Sequence, residues 1–322
     1  MRVNKDLSPN LFIVGAAKAG TTSLYEYLIE HYDIFSLEKI ERKIVYPYSS
    51  KEPWLFAADL IAKSEDEKTF RKWMIRDFAT YMKLYSYSSG EKYRLDASVS
   101  YFYYSIIPER IKEYSPNAKI IISLRNPALG AYSMYTFMKF CMECQFENLS
   151  FEEVLKKEDE GMHFKAVPWG IRNNNLYYEN LKRYIDVFGE KNVKVLIFEE
   201  WVSKTLEKLE DVCAFLDIEK ICFKNIENVY NVSGIPKENF QVYFYKKIIH
   251  SQNILRNLYK KTLPVYIREY IINVLRKYLL EKNLQKVRMK EETKQELIEY
   301  YYEDIKKTEE LLGRDLSCWY KD

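Results

Sequence analysis

The stretch from Asn10 to Leu28, which reads NLFIVGAAKAGTTSLYEYL, is the feature that most constrains the fold. A short apolar run over 11–14 predicts a buried β-strand. Gly15 and Gly20 bound a loop of small residues, and Thr21 opens a pattern typical of an amphipathic helix. A strand, a small-residue loop and a helix N-terminus direct backbone N–H groups and a helix dipole at one point. This arrangement favours binding of an anion, usually a phosphate.

The loop differs from the ATP-binding loop G-x-x-x-x-G-K-[ST] in the position of its lysine. Gly15 and Gly20 have the required spacing and Thr22 supplies the hydroxyl, but Thr21 stands where that loop carries its lysine. The cation here is Lys18, inside the loop. Because ATP hydrolysis needs a lysine on the β- and γ-phosphates, the sequence predicts a phosphate-binding loop whose charge serves a different leaving group.

Two further apolar runs, at 117–124 and 194–198, indicate buried strands. Strands that alternate with helices predict a parallel sheet with right-handed crossovers. We therefore predict one α/β domain over 1–322, with a P-loop-NTPase-like three-layer fold. Its core spans about 8–234, and a helical C-terminal lobe over about 235–322 packs on this core. The predicted helices lie at 21–30, 65–88, 106–114, 128–140, 150–158, 173–188 and 203–216.

The beginning of the predicted lobe is strongly basic, with thirteen Lys or Arg against three Asp or Glu over 237–290. Three interpretations stay open. The stretch is a solvated helical face, a lid that gives the cofactor a cation from Lys286 or Arg288, or a surface for an anionic polymer or the inner membrane leaflet.

Charge and cysteine content exclude several classes of protein. Lys plus Arg number 50 and Asp plus Glu 47, so the chain as a whole is not a nucleic-acid-binding protein by charge. Five scattered cysteines argue against a disulfide framework and favour a reducing compartment. Cys141 and Cys144 form a C-x-x-C with no second ligand pair, and there are only three histidines, so we predict no metal site.

The polar residues 1–10 lead directly into the first strand and do not resemble a secretory signal. No apolar run reaches the ~20 residues that span a bilayer. We therefore expect a cytoplasmic protein, at most attached to the inner membrane surface. A Golgi-lumen location is expected only if the chain is a piece of a longer membrane-anchored protein. The sequence predicts no oligomeric state.

A second phosphate site is predicted where the strand at 117–124 ends. Arg125 follows this strand directly, and Ser133 lies about two turns into the next helix. Ligands of open α/β sheets bind beyond the C-terminal ends of strands, and a guanidinium with a hydroxyl suits a phosphate. Taken singly, Lys18, Arg125 and Ser133 are also compatible with a solvated charge, an ion pair and an ordinary helix position. Two such sites after two buried strands favour the functional interpretation.

The chain resembles a known family in both of these segments. G-A-A-K-A-G-T-T-S-L resembles the 5′-phosphosulfate loop of sulfotransferases that use 3′-phosphoadenosine 5′-phosphosulfate (PAPS), and I-I-S-L-R-N-P-A-L-G-A-Y-S-M-Y resembles their 3′-phosphate motif. K-E-P-W-L-F and D-A-S-V-S-Y-F resemble two elements of the carbohydrate sulfotransferase branch. Weaker similarity extends the resemblance over nearly the whole chain, through N-L-Y-Y-E-N-L-K-R-Y-I-D-V-F-G, V-L-I-F-E-E-W and E-L-L-G-R-D-L-S-C-W.

This resemblance implies a PAPS site with adenosine 3′,5′-bisphosphate as the product. It implies that Lys18 stabilises charge on the departing 5′-phosphate and that Arg125 and Ser133 hold the 3′-phosphate. Sulfuryl transfer, like phosphoryl transfer, asks a protein mainly for positioning and charge stabilisation. The implied cofactor-binding residues are Lys18, Ala19, Gly20, Thr21, Thr22, Ser23, Arg125 and Ser133.

The resemblance also implies a base for the acceptor, Glu52 of K-E-P-W-L-F. The alternative for Glu52 is an ion-paired carboxylate beside Lys51. The cytosolic small-molecule branch uses a histidine instead, for which His31 remains the alternative.

One position departs from the family pattern. Many heparan-type relatives carry a catalytic lysine where Ala97 stands, so Lys51 or another cation is expected to replace it. Ser98 and Tyr101 match the pattern, and they either line the acceptor site or face the core.

We predict an enzyme that transfers a sulfuryl group from PAPS to a hydroxyl, in preference to an amine, of a saccharide, polysaccharide or glycolipid. A P-loop nucleoside or small-molecule kinase is the alternative, disfavoured by Thr21 and by the Arg125 and Ser133 pair. A non-catalytic nucleotide-binding module is favoured only if Lys18 and Glu52 are dispensable.

Overall fold

In the part of the chain that the structure describes, five parallel strands form the central sheet. The computed structural model describes residues 7–63, 73–141, 146, 149–162, 170–227, 235–236, 284–285 and 287–321. The strands are β1 Leu11–Gly15, β2 Ile34–Phe35, β3 Tyr93–Asp96, β4 Lys119–Leu124 and β5 Val193–Ile197. In space they lie in the order β2-β3-β1-β4-β5, and every neighbouring pair is parallel.

The central strands are continuous apolar runs because both of their faces are covered. Along β1, Phe12 and Val14 pack into the core on one side of the sheet, whereas Leu11 and Ile13 pack into the core on the other. This three-layer arrangement confirms the predicted α/β fold. The strand order reverses around β1, which lies between β3 and β4, and such a switch point is where open α/β sheets bind ligands.

Helices connect the strands and cover the sheet. The α-helices are α1 Thr21–Leu28, α2 Arg42–Val45, α3 Ala58–Lys63, α4 Phe78–Tyr85, α5 Ile107–Tyr114, α6 Pro127–Cys141, α7 Phe151–Asp159, α8 Tyr178–Phe188, α9 Phe198–Ser203, α10 Thr205–Leu216 and α11 Glu291–Leu312. Short 3₁₀-helices lie at Leu37–Lys39, Leu55–Ala57, Val99–Tyr103, Asn173–Asn175, Glu190–Asn192 and Ser317–Trp319.

The predicted helix at 173–188 is wrong in its first part, since α8 begins only at Tyr178. The reason is a distant cap: the Asp304 carboxylate of α11 accepts hydrogen bonds from the backbone N–H groups of Tyr177 and Tyr178, at 2.7 and 3.2 Å.

The helix predicted at 65–88 is too long, since only α4 is helical in the described part and 73–77 and 86–88 are not. Asp77 caps the start of α4, because its carboxylate accepts from the Thr80 backbone N–H at 2.7 Å. Residues 64–72 lie outside the described part.

The last described helix, α11, packs against α6 and α8, and its Leu297, Tyr301 and Ile305 belong to the same core as β1 and β4. Two short segments, β6 Ile235–Pro236 and β7 Leu284–Gln285, pair antiparallel. Most of the basic stretch 237–290 lies outside the described residues, so the lobe boundary stays a prediction. None of the described helices is long and apolar enough to cross a membrane.

Candidate functional site

The loop after β1 is fixed by the neighbouring strand β4. The backbone N–H of Ala16 donates to the Ser123 carbonyl at 2.7 Å, and the Ser123 hydroxyl donates to the Ala19 carbonyl at 2.6 Å. The indole N–H of Trp201 donates in turn to the Ser123 oxygen at 3.0 Å. All three groups are buried, so the loop is held in one conformation by hydrogen bonds made in a low-dielectric environment.

Gly20 joins this loop to helix α1. It has φ 77°, and a Cβ added there would lie 2.5 Å from Trp201 Cζ2 and 2.7 Å from Phe198 Cε2. Only glycine both tolerates this positive φ and lacks the Cβ that would clash with the two aromatic rings. Gly20 is also the N-cap residue, and it has no side chain to cap α1. The N-terminal N–H groups of α1, at Thr21, Thr22 and Ser23, therefore carry the dipole charge that favours an anion at the loop.

Lys18 adopts the left-handed conformation, with φ 66°. Its ammonium nitrogen lies 4.1 Å from the centroid of the Phe137 ring on α6. Ser133 is buried one turn earlier on α6, and residues four apart on a helix share a face. Lys18 therefore contacts the same face of α6 that carries Ser133, the predicted ligand of the 3′-phosphate.

Arg125 lies directly against the loop. Its Nη1 donates to the Lys18 carbonyl at 3.2 Å, and its guanidinium lies 4.7 Å from the Phe198 ring centroid. Its Nε is buried and has no hydrogen-bond partner among the described residues. Burial lowers the pKa of Arg125, and nearby Glu199 opposes that shift, but an arginine stays charged at any physiological pH. A buried cationic donor without a partner fits an anionic ligand.

Three residues that we did not single out as site residues hold the Arg125 segment. The carboxylate of Glu199 accepts from the backbone N–H of Asn126 at 2.9 Å and from the indole N–H of Trp319 at 3.1 Å. The Asn126 side-chain amide donates to the Trp319 carbonyl at 3.1 Å. Trp319 and Glu199 both lie in segments that resemble the family, but only the fold shows that both form hydrogen bonds with Asn126.

Glu52 lies in the loop before the 3₁₀-helix Leu55–Ala57. Its Oε1 is 3.0 Å from the Lys51 ammonium, and the two side chains are only 20% and 16% exposed. The Lys51 carbonyl accepts from the backbone N–H of Ala97 at 3.1 Å. Residue 51 of the K-E pair is therefore held directly beside Ala97.

The other acceptor-side candidates are buried. Ser98 and Tyr101 are fully buried and face the core, which resolves the two alternatives for them. His31 is also fully buried, beyond the C-terminal end of α1. Its Nδ1 accepts from the Asp33 backbone N–H at 3.0 Å, and its Nε2 lies 2.8 Å from the Glu219 carbonyl. Both ring nitrogens are engaged by backbone groups, so His31 is not available as a base.

The α1 N-terminus beside Lys18 can hold one anionic group, and the buried Nε of Arg125 can bind a second. That Ser133 shares this second group with Arg125 stays a prediction. Among the described residues, no group of three or more His, Cys, Asp or Glu could hold a metal ion. Of the C-x-x-C cysteines, Cys141 lies in the described part of the chain and Cys144 lies outside it.

Comparisons with known proteins agree with this geometry. Residues 8–309 match the family model described as a sulfotransferase domain. A crystal structure of a sulfotransferase from Alicyclobacillus acidocaldarius is similar to this chain with a TM-score of 0.67 and 29% identity, over 97% of this chain and 98% of that one.

Curated relatives include the bifunctional heparan sulfate N-deacetylase/N-sulfotransferase 1 of Xenopus laevis, 27% identical over 83% of this chain and 32% of the relative. The human heparan sulfate glucosamine 3-O-sulfotransferase 6 is 25% identical over 66% of this chain and 53% of the relative. The chain thus spans about a third and about half of these two proteins.

Proposed function

The chain belongs to the sulfotransferase domain family, and we propose that it transfers a sulfuryl group from PAPS to a hydroxyl of a saccharide acceptor. The observation that carries this proposal is the contact between the two strand-end loops. Arg125 donates to the Lys18 carbonyl and keeps a second, buried donor without a partner among the described residues. A donor with phosphates at both its 5′ and 3′ positions would engage both loops.

On the donor side, bound PAPS would supply the sulfuryl group and a bisphosphate leaving group. The N–H groups from Gly20 to Ser23 and the hydroxyls of Thr21 and Thr22 would hold the 5′-phosphate, while the Ala19 N–H donates within the loop to the Ala16 carbonyl at 3.3 Å. Lys18 would stabilise the negative charge that develops on this phosphate. Arg125 and Ser133 bind the 3′-phosphate and exclude nucleotides that lack it, because an unmatched buried guanidinium carries a desolvation cost.

On the acceptor side, Glu52 takes the proton of the attacking hydroxyl. Lys51, in contact with Glu52 and joined through its carbonyl to Ala97, supplies the cation that the family resemblance implies at position 97. The saccharide acceptor is inferred from the names of the heparan sulfate relatives. We favour a hydroxyl over an amine.

A P-loop kinase is the weaker candidate. Thr21 occupies the lysine position of the ATP loop, and the buried Arg125 suits a 3′-phosphate that ATP does not have.

The test is sulfate transfer from radiolabelled PAPS to a panel of desulfated heparan sulfate oligosaccharides, with wild type, Glu52→Gln and Lys18→Met. We expect label in the oligosaccharides with wild type and at least a 100-fold lower single-turnover rate for each variant. Wild-type rates in both variants would remove these residues from the mechanism. Absence of PAPS turnover with every acceptor would contradict the proposed function.

A further inference from the structure

We propose that the 3₁₀-helix Val99–Tyr103, anchored by the buried carboxylate of Asp96, is a positioning element. It holds Glu52 at a fixed position relative to the donor loop that carries Lys18. This inference rests on the proposed function, in which Glu52 is the base. It assigns a role to Asp96, Ser98 and Tyr101, which do not contact the solvent and cannot act on the acceptor directly.

Asp96 is the last residue of β3 and pairs with Phe12 of β1. Its carboxylate is fully buried and accepts four hydrogen bonds. The donors are the Ser98 backbone N–H at 3.0 Å, the Ser98 hydroxyl at 2.6 Å, the Tyr101 hydroxyl at 3.1 Å and the Tyr81 hydroxyl at 2.7 Å. The carboxylate thus fixes the chain that leaves the sheet beside the β1 loop.

This anchored chain holds the Glu52 loop. Three hydrogen bonds join residues 51, 54 and 56 to the segment 97–101. They are the Ala97 N–H to the Lys51 carbonyl at 3.1 Å, the Trp54 N–H to Ser98 Oγ at 3.0 Å and the Phe56 N–H to the Tyr101 hydroxyl at 3.3 Å.

Trp54 lies in the middle of this loop with φ 57°, a left-handed conformation that costs a bulky residue about 1–2 kcal/mol. A strained backbone of this kind persists only where its surroundings determine it. The hydrogen bond from Trp54 to Ser98 is one of those determinants.

The same 3₁₀-helix also contacts the donor loop. The Tyr103 hydroxyl accepts from the Ala17 backbone N–H at 2.9 Å. Gly15 lies so close to this helix that an added Cβ would be 2.5 Å from Phe102 Cβ. One short helix therefore joins the loop that carries Lys18 to the loop that carries Glu52.

Asp96 is suited to this task because an ionised carboxylate only accepts hydrogen bonds. The Ser98 and Tyr101 hydroxyls must turn their hydrogens towards it, so that their lone pairs face the backbone N–H groups of the Glu52 loop. A side chain that can also donate a hydrogen bond would not fix the direction in which the two hydroxyl hydrogens point. Since a displacement of about 1 Å between reacting groups can cost about 100-fold in rate, this orientation matters for catalysis.

The test compares Tyr101→Phe with Tyr85→Phe. Both tyrosines are fully buried, but the Tyr85 hydroxyl donates to the Leu95 carbonyl of β3 at 2.8 Å, whereas the Tyr101 hydroxyl accepts from the Phe56 N–H of the Glu52 loop. For Tyr101→Phe we expect kcat to fall about tenfold, while the Kd for adenosine 3′,5′-bisphosphate stays within about twofold of wild type. Tyr85→Phe is expected to keep the wild-type kcat at a comparable loss of Tm.

A double mutant separates positioning from general damage. In the Glu52→Gln background, Tyr101→Phe is expected to cause no further loss of kcat, because the group that it positions is gone. Equal kcat for Tyr101→Phe and Tyr85→Phe, or additive losses with Glu52→Gln, would overturn the positioning role alone. A wild type inactive with PAPS would instead overturn the proposed function, whereas a fully active Glu52→Gln would remove Glu52 as the base. Either result would remove the positioning role as well.

Discussion

The ammonium group of Lys18 lies on the face of the Phe137 ring, with 4.1 Å between Nζ and the ring centroid. Phe137 is 38% exposed, one turn beyond the buried Ser133 on α6. A ring in this position attracts the cation through its quadrupole. The long, flexible lysine side chain is thereby directed towards the helix that also carries Ser133, the predicted ligand of the 3′-phosphate.

Replacing Phe137 should therefore lower the catalytic efficiency with PAPS. Because an exposed cation–π contact contributes about 0.5–1 kcal/mol, Phe137→Leu is expected to lower kcat/KM for PAPS about two- to fivefold. Initial rates at varied PAPS concentration measure this effect. Phe137→Tyr keeps the aromatic face and is the control. A Phe137→Leu enzyme with the same kcat/KM as the tyrosine variant would contradict the role of the ring.

Gly20 and Gly313 form a matched pair for the donor loop. Both lie in the left-handed αL region, with φ 77° and 58°, but an added Cβ would clash with Trp201 at Gly20 and meets nothing within 4 Å at Gly313. Both alanine variants should lose about 1–2 kcal/mol of stability from backbone strain. Gly20→Ala should lose a further 1–3 kcal/mol, roughly, from overpacking. Urea denaturation of the two variants measures the difference.

The same pair also tests the loop as a ligand site. Gly20→Ala is expected to bind adenosine 3′,5′-bisphosphate at least about tenfold more weakly, which corresponds to about 1.4 kcal/mol, whereas Gly313→Ala binds it normally. Equal stability and equal binding in the two variants would show that the aromatic contacts of Gly20 do not shape the loop.

The fold was predictable from the sequence where both faces of a strand are buried. The runs at 11–14 and 117–124 became β1 and β4, interior strands whose apolar side chains are covered on both faces of the parallel sheet. The run at 194–198 became β5, an edge strand of which only Leu196 and Ile197 are buried. The two-residue β2 was missed, since so short a strand carries no periodic signal. The start of α8 was missed because its cap, Asp304, comes from another helix.

The donor side of the candidate site was predictable for the same reason. Lys18 and Arg125 follow buried strands directly, and neighbouring parallel strands bring such residues to one edge. The supports were not predictable, because Ser123, Glu199 and Trp319 reach the site only through the folding of distant segments. The roles assigned to the site residues remain predictions.

Asp96 should make stability depend on pH. Burial outweighs the hydrogen bonds from Ser98 and Tyr81 and raises the pKa of Asp96 to about 6, against about 3.9 in an unfolded chain. Between these values the folded state binds more protons than the unfolded state. The contribution of Asp96 to stability is therefore fully present below about pH 4 and is lost as the pH rises through about 6.

Asp96→Asn removes this dependence. The free energy of unfolding of wild type should fall relative to that of the variant by about 2–3 kcal/mol between pH 4 and pH 7. Urea denaturation of both proteins across this range provides the difference. A difference that does not change with pH would show that the carboxyl group has an ordinary pKa in the folded protein.

Lys51 should compensate for the alanine at position 97. Lys51→Met removes the cation that contacts Glu52 and is expected to lower kcat at least about tenfold. Lys43→Met is the control, since Lys43 is paired with the neighbouring Glu41 but both side chains are largely exposed. Similar kcat values for the two variants would exclude Lys51 as the replacement cation.

The central claim is that the loop at Lys18 and the segment at Arg125 together bind a donor with phosphates at its 5′ and 3′ positions. Calorimetric titration of the wild-type protein with adenosine 3′,5′-bisphosphate, and separately with ATP and magnesium, tests it most directly. We predict binding of the bisphosphate at least about tenfold tighter than that of ATP, a difference of about 1.4 kcal/mol, and loss of this preference in Arg125→Gln. Tighter binding of ATP to the wild type would contradict the claim.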